Sequence, residues 1–210
     1  MHPVALFDID HTLIRRDSML LFVRYGLAKK PSTVVHLAAM GFFTALSKLK
    51  LVPLERAKSA FFQAIRHMDE DDLAAFYTQH LEPAIYLEAR EEMRRRKAEG
   101  CHILLVTASP DAYMKYFERL PEVDGVIGTR LARRGTRYLN RIEGRNCKGE
   151  EKVLRIREYC GSKGIAIDPD RSYAYSDSLS DLPMFDLVRH RYWINGRGSH
   201  PLVEVLQWRN

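Results

Sequence analysis

Two aspartates separated by one residue follow an apolar run near the start of the sequence. Asp8 and Asp10 lie in the segment DIDHT, directly after the run Val4–Phe7. In an extended chain, residues two apart project to the same side, with Cα atoms about 7 Å apart. One carboxylate can attack phosphorus as a nucleophile, while a second protonates the leaving alcohol and later takes a proton from water. Metal binding or capping of the next turn is the alternative for so short a pattern.

Two hydroxyls and a small residue follow a second apolar run, Ile103–Val106. These are Thr107, Ala108 and Ser109, at a point where a predicted strand gives way to a predicted helix. Main-chain N–H groups at a helix start favour phosphate. We therefore expect the three residues to bind a phosphoryl group, although Ser109 followed by Pro110 is also an ordinary helix start.

A lysine lies at the start of another predicted helix, Lys148–Cys160. A cation there faces the positive end of the helix dipole, which is unfavourable unless an anion lies nearby. Lys148 is therefore a candidate for neutralising phosphoryl charge. A solvated surface lysine is the alternative, because Lys152 and other charges make this segment polar.

Two more aspartates, Asp177 and Asp181, follow a further apolar run. Magnesium is usually bound by one or two carboxylates together with water and phosphate oxygens. Asp177 could complete such a site with Asp8 and the main-chain carbonyl of Asp10. Asp181 is better placed to hold water or to orient Lys148, and capping of the next helix is its alternative role.

Alternating strands and helices are expected to position these residues. The apolar runs are typical of buried parallel strands, and the segments between them have helical periodicity, which predicts an α/β fold. In such open sheets, ligand-binding groups gather beyond the carboxyl ends of the strands. The loops that follow these strands and carry Asp8, Thr107 and Asp177 are therefore expected to converge on one cleft. The predicted helices are Leu87–Glu99, ended by Gly100, then Asp111–Leu120 and Lys148–Cys160.

The segment after the first aspartate pair interrupts this alternation. Residues 17–81 contain apolar-periodic segments broken by Pro31 and Pro53, and carry no strong strand signal. We expect them to form a small helical cap, inserted into a core made of residues 1–16 and 82–210. Residues 129–142, which include Gly135, predict a small hairpin.

Composition and charge narrow the class of protein. The chain has 210 residues, 46% of them hydrophobic, which is enough to bury the core of one domain with a modest insertion. Its formal net charge of +6 fits an anionic substrate, a nucleic acid or a membrane surface. The basic clusters at 94–97 and 130–141 are not accompanied by a nucleic-acid-binding motif, so we expect no nucleic-acid partner.

Apolar stretches and cysteines in the sequence also bear on cellular location and on membrane association. The apolar stretch 34–46 is shorter than the roughly 20 residues that a spanning helix needs, so we expect no membrane partner. A helix at 34–49 flanked by lysines could touch a membrane or a partner chain, but packing within the cap is favoured. Three cysteines without a CxxC pair, and an apolar run starting at Val4, favour a cytoplasmic protein. The sequence leaves the oligomeric state open.

The four motifs, in this order, resemble those of the haloacid dehalogenase superfamily of phosphatases. The resemblance implies a Rossmann-like three-layer core with a parallel sheet, a Mg²⁺ cofactor and an aspartyl-phosphate intermediate. It also implies a small-molecule phosphoester substrate. The residues that match are Asp8, Asp10 and Thr12 for the first motif, Thr107 for the second, Lys148 for the third, and Asp177 with Asp181 for the fourth.

The position of the insertion is similar to the subclass typified by phosphoserine phosphatase. Residues 146–150 and 175–183 are closer still to bacterial subclass IB hydrolases, some of which are assigned to histidinol phosphate. Asp17 matches in position the cap glutamate that reads the serine amine, which implies a contact with a substrate ammonium. The fourth motif departs from Gly-Asp-Gly-x-Asn-Asp by carrying serines at 176, 178 and 180. A phosphotransferase or phosphomutase, and a basic nucleic-acid-binding module, are the alternative functions.

Overall fold

A six-stranded sheet forms the centre of the protein, whose computed structural model describes residues 1–34, 41–42, 51, 59 and 61–209. The order in the sheet is β3-β2-β1-β6-β7-β8, and every neighbouring pair is parallel. Two further strands form a separate antiparallel hairpin. The strands are β1 (Val4–Phe7), β2 (His102–Pro110), β3 (Gly125–Thr129), β4 (Leu131–Arg134), β5 (Arg137–Ile142), β6 (Tyr173–Ser176), β7 (His190–Ile194) and β8 (Glu204–Leu206).

Helices cover both faces of the sheet. They are α1 (Ser18–Lys29), α2 (Glu70–Phe76), α3 (Leu87–Ala98), α4 (Asp111–Met114), α5 (Glu150–Ser162) and α6 (Leu182–Phe185). Shorter helical turns span Pro31–Val34, Gln63–His67, Tyr77–Leu81, Glu82–Ala84, Lys115–Arg119, Pro169–Arg171 and Leu179–Asp181.

Alternate residues of the central strands belong to two separate cores. On one face Phe7 lies in a cluster with Met93 of α3, and on the other Leu6 lies in a cluster with Ile156 of α5. This alternation follows from the pleat of a strand, which sends successive side chains to opposite faces. The layers are therefore helix, sheet and helix, and the prediction of a three-layer α/β fold with a parallel sheet is confirmed.

Several element boundaries differ from the sequence-based prediction. The helix predicted at 111–120 is only α4 followed by the tighter turn Lys115–Arg119. Helix α5 begins at Glu150, two residues later than predicted, because Gly149 has a positive φ of 57° that interrupts the chain before it. Strands β3 and β8 were not predicted: β3 contains two glycines and β8 has only three residues, so neither gives a strong strand pattern. The predicted hairpin is present as β4 and β5.

The described parts of the predicted cap are helical and pack on the core. The side chain of Asp17 caps α1 by accepting a hydrogen bond from the amide of Leu20. Phe22 of α1 is fully buried, with its ring 5.2 Å from that of Phe76 in α2 and 4.9 Å from that of Tyr113 in α4. The limits of the cap at 17 and 81 stay a prediction.

The hairpin also contacts this region, since Asn140 of β5 donates to the carbonyl of Ser59 at 3.1 Å and to the side chain of Gln63. Most of the helix expected at 34–49 lies outside the described residues. Within the described residues, no helix combines the length and the apolar character that crossing a membrane requires.

Phe22 is expected to hold α1 against the core. Phe22→Ala should lower the free energy of unfolding by about 3–5 kcal/mol, because it removes a fully buried ring and leaves a cavity. Leu20→Ala, on the same helix but with a residue that is 54% exposed, should change it by no more than about 0.5 kcal/mol. Urea unfolding of the two variants measures the difference. Equal losses would contradict the packing described here.

Candidate active site

The predicted site residues meet at the carboxyl ends of β1, β2 and β6. A cavity of about 320 Å³ lies there. Of the residues proposed from the sequence, those that line it are Asp8, Asp10, Asp17, Thr107, Ala108, Ser109, Lys148, Asp177 and Asp181. The convergence of the three loops on one cleft is therefore observed. Met19, Phe62, Ser178 and Ser180 also line the cavity and were not proposed.

A buried lysine lies between two aspartates at this cavity. The Nζ atom of Lys152 is 2.6 Å from Oδ1 of Asp8 and 2.7 Å from Oδ2 of Asp181. The lysine side chain is only 2% exposed. The hydroxyl of Ser176 donates to the same oxygen of Asp181 at 2.8 Å. A permanent positive charge is thus fixed beside the carboxylate that follows β1.

The lysine in this position is not the one expected from the sequence. Lys148 borders the cavity but is exposed, and it makes no ion pair within the described residues. Because α5 begins only at Glu150, the face of the helix that meets the sheet carries Lys152 and, four residues later, Ile156. Asp181, which was expected to hold water or to orient Lys148, contacts Lys152 instead. The spacing of Lys152 from the buried residues of its own helix was the signal that could have identified it.

Burial and charge shift the ionisation of this triad. Burial raises the pKa of Asp8 to about 7, the Lys152 ammonium opposes that rise, and the Asp181 carboxylate adds to it. Burial on its own would lower the pKa of Lys152, but the two carboxylates outweigh it, so the net shift is upward. Lys152 is consequently charged at neutral pH and favours the ionised form of Asp8.

Both carboxylate oxygens of Asp10 accept hydrogen bonds from the protein. The main-chain amide of Ser18 donates to Oδ1 at 2.7 Å, and the hydroxyl of Ser109 donates to Oδ2 at 2.6 Å. Burial raises the pKa of Asp10. A raised pKa suits a carboxyl group that must give and take a proton near neutral pH.

Thr12 joins the loop after β1 to the loop after β6. His11 has a left-handed φ of 58°, which turns the chain back so that the Thr12 hydroxyl donates to Oδ2 of Asp8 at 3.2 Å. The same hydroxyl accepts a hydrogen bond from the amide of Asp177 at 2.8 Å. The end of β2 is fixed similarly, since the amide of Ser109 donates to the hydroxyl of Thr107 at 3.0 Å.

Asp177 offers an unengaged carboxylate to the cavity. Its main chain is fixed, because its carbonyl also accepts from Nε1 of Trp193 at 2.7 Å. Its side chain makes no hydrogen bond or ion pair within the described residues, and burial raises its pKa. A cation would compensate the charge of a half-buried carboxylate in this setting.

The donor set fits magnesium better than a transition metal. No group of three or more His, Cys, Asp or Glu side chains in the described part of the chain is arranged to hold a metal. Magnesium does not require such a cage, because it keeps several waters and takes one or two carboxylates plus substrate oxygens. The carboxylates of Asp8 and Asp177 and the carbonyl of Asp10 are hard oxygen donors of this kind.

Asp17 directly precedes α1 and lines the cavity. Its Oδ1 atom accepts from the amide of Leu20 at 2.9 Å, so one carboxylate oxygen is used to cap α1. Its second oxygen has no hydrogen bond within the described residues.

Comparison with known proteins identifies the family. The profile of the haloacid dehalogenase-like hydrolases matches residues 5–186. The protein belongs to this family. The resemblance stated from the four motifs is thereby confirmed, and this haloacid dehalogenase-like hydrolase is an enzyme.

Relatives and solved structures agree with the assignment. Protein CicA of Caulobacter vibrioides is 31% identical over 203 residues, covering 93% of this chain and 87% of its own. A phosphoserine phosphatase of Mycobacterium tuberculosis is 28% identical (91% and 64% covered), and a histidinol-phosphatase of Neisseria meningitidis is 23% identical (93% and 91%).

A Bordetella pertussis protein of unknown function superposes with a TM-score of 0.80, 25% identity and coverage of 94% and 92%. A phosphoserine phosphatase solved as a phospho-aspartyl intermediate analogue has a TM-score of 0.66, with 15% identity and coverage of 93% and 88%, and shares the fold.

The two lysines at the cavity give a test of the charge arrangement. Lys152→Met should lower the free energy of unfolding by about 3–5 kcal/mol, because it leaves two buried carboxylates without their cation. Lys148→Met removes an exposed charge and should change it by about 0.5 kcal/mol at most. Denaturant titration at neutral pH provides the measurement. A larger loss in the Lys148 variant would show that the wrong lysine has been placed in the triad.

Proposed function

We propose that the protein is a magnesium-dependent phosphomonoester hydrolase that acts on a small phosphorylated metabolite. The reaction passes through an aspartyl phosphate on Asp8. The observation that carries this proposal is the placement of Lys152 between Asp8 and Asp181 in the lining of the cavity, which also contains Asp177, whose side chain has no partner within the described residues. A carboxylate held beside a fixed cation in a cavity of metabolite size is suited to attack a phosphoryl group.

In the first half-reaction, Asp8 forms a bond to phosphorus as the bond from phosphorus to the ester oxygen breaks. Asp10 donates its proton to the departing alcohol. Lys152 neutralises charge on the phosphoryl oxygens, and the hydroxyl of Thr107 with the amides of Ala108 and Ser109 orients them. The products of this step are the free alcohol and phosphorylated Asp8.

In the second half-reaction, water attacks the phosphorus of the aspartyl phosphate. Asp10, which lost its proton in the first step, takes one from this water. The bond between phosphorus and Asp8 then breaks, which releases inorganic phosphate and restores both carboxyl groups. Asp181 and Thr12 act through their contacts, by keeping Lys152 and Asp8 in position.

Magnesium, when bound, would neutralise charge on the phosphoryl oxygens as a Lewis acid. The carboxylates of Asp8 and Asp177 and the carbonyl of Asp10 would hold it, with water and substrate filling the other positions.

An amino-alcohol phosphate, such as phosphoserine or histidinol phosphate, is the substrate class that the cavity supports best. The second oxygen of Asp17, which has no hydrogen bond within the described residues, provides a partner for a substrate ammonium, and Met19 and Phe62 add apolar surface to the cavity. Relatives carry both phosphatase names. A cytoplasmic location belongs to the same proposal, because the cysteines Cys101, Cys147 and Cys160 are all buried and free.

Phosphate release from a panel of esters tests the reaction and its cofactor. We expect release from phosphoserine or histidinol phosphate to exceed that from glycerol phosphate, to stop with a chelator, and to resume with Mg²⁺. Asp177→Asn should raise the Mg²⁺ concentration needed for half-maximal rate about 10-fold or more, since it halves the carboxylate charge at the site. Release without an added acceptor distinguishes hydrolysis from phosphotransfer. Activity that persists in chelator would overturn the metal assignment.

The nucleophile is tested by replacing its charge while keeping its shape. Asp8→Asn should lower turnover on the order of 10³-fold or more and abolish the phosphorylated protein detected by mass spectrometry after acid quench. Asp170→Asn is the matched control, because Asp170 is 77% exposed and lies outside the cavity. A folded Asp8 variant with near-normal turnover would exclude Asp8 as the nucleophile.

A further inference from the structure

A chain of hydrogen bonds reaches Asp10 from α1 and from the carboxyl end of β2. The hydroxyl of Ser18 donates to the hydroxyl of Ser109 at 2.9 Å, and Ser109 in turn donates to Oδ2 of Asp10 at 2.6 Å. The amide of Ser18 donates to Oδ1 of the same carboxylate at 2.7 Å. Ser18 has no exposed surface and Ser109 is 6% exposed. Asp10 therefore accepts hydrogen bonds from two donors that are fixed by the protein.

The direction of this chain follows from the chemistry of a hydroxyl. The Ser109 hydroxyl has one proton, which it donates in the hydrogen bond to Asp10. Towards Ser18 it can therefore act only as a hydrogen-bond acceptor. Each carboxyl oxygen has about two lone-pair positions, so the two contacts leave positions free for a transferred proton. The contacts can therefore orient Asp10 without blocking its proton transfers.

The surroundings of the two serines are closed and belong partly to the cap. Tyr113 is fully buried, and its ring stacks on that of Phe22 in α1. Ser18 is the first residue of α1, between Asp17 and Met19, which both line the cavity. The same helical turn thus contacts the substrate space and Asp10.

We propose that Ser109 and Ser18 are positioning residues, which fix Asp10 for proton transfer and make that fixation depend on the first turn of α1. This inference rests on the acid and base role of Asp10 in the proposed function. A substrate that seats against Asp17 and Met19 would hold α1 in the arrangement in which Asp10 is oriented.

Three substitutions separate the contributions. Ser109→Ala removes the donor to Oδ2 of Asp10. Ser18→Ala removes only the hydroxyl that supports Ser109, whereas Ser18→Pro removes the amide donor as well. Proline is favoured at the first residue of a helix, and Asp17, with φ −79° and ψ 115°, already has the extended conformation required before proline.

The measurement is the rate of alcohol release in the first turnover, for esters of different leaving-group acidity. A departing alkyl alcohol needs a proton from Asp10, whereas 4-nitrophenolate departs without one. We expect Ser109→Ala and Ser18→Pro to slow release from alkyl phosphates by about 10-fold or more, and the first release of 4-nitrophenolate by less than about 3-fold. Ser18→Ala should have a smaller effect of the same kind.

Ser172→Ala is the matched control for loss of a buried serine hydroxyl. Ser172 is fully buried and accepts from the amide of Val4 at 2.9 Å, but it precedes β6 and lies outside the cavity. Ser172→Ala should lower the free energy of unfolding but should leave the dependence of the release rate on the leaving group unchanged. Equal slowing of both ester classes in the Ser109 variant, or the same leaving-group pattern in Ser172→Ala, would overturn the proposal.

Three outcomes separate failure to fold, failure of the proposed function and failure of the positioning role. If Ser18→Pro fails to fold, as judged by circular dichroism, Ser109→Ala alone decides the question. If the wild-type protein releases alcohol from no ester, the proposed function fails and this inference fails with it. Equal loss on both ester classes in an active Ser109 variant overturns the positioning role alone.

Discussion

The ion pair of Lys152 with Asp8 and Asp181 is the interaction on which the arrangement of the site depends. A buried ammonium is costly unless carboxylates compensate it, and here the two carboxylates come from different loops. Asp8 follows β1 and Asp181 follows β6, so these strands must be neighbours in the sheet, as they are. Helix α5 must in turn pack on the face where Leu6 lies. One charge therefore fixes the relative positions of three elements.

Hydroxyl groups also hold three carboxylates of the site in place. Thr12 contacts Asp8, Ser176 contacts Asp181 and Ser109 contacts Asp10, so each of these three carboxylates has a hydroxyl donor from the protein. Such donors are already oriented when charge develops during a reaction, whereas water molecules would have to reorient. Ser176, one of the serines of the fourth motif, has a structural role. It ends β6 with no positive φ, so glycine is not required, and its hydroxyl donates to Asp181, which glycine could not do.

The sequence predicted the parts of the site that depend on local chain geometry. Asp8, Thr107 and Asp177 follow apolar strands, and strand ends in a parallel sheet must meet at one edge. Lys152 could not be chosen over Lys148 by the dipole argument, because the choice depends on where α5 begins and which face meets the sheet. The contact between Ser18 and Ser109 spans 91 residues and follows from the packing of α1 on α4, which no local pattern encodes. The residues 35–40, 43–50, 52–58 and 60 of the predicted cap lie outside the described part of the chain.

The first turn of α1 contacts both the cavity and the carboxylate of Asp10. Asp8 follows β1 and Lys152 lies on α5, whereas the first turn of α1 places Ser18 against Asp10, and Asp17 and Met19 line the cavity. Because Phe22, one turn further along, is locked between Phe76 and Tyr113, this turn cannot shift without disturbing the aromatic cluster. In the proposed function, substrate contact and orientation of Asp10 therefore depend on the same turn of α1, so a substitution in this turn that alters ester binding is expected also to alter protonation of the leaving oxygen.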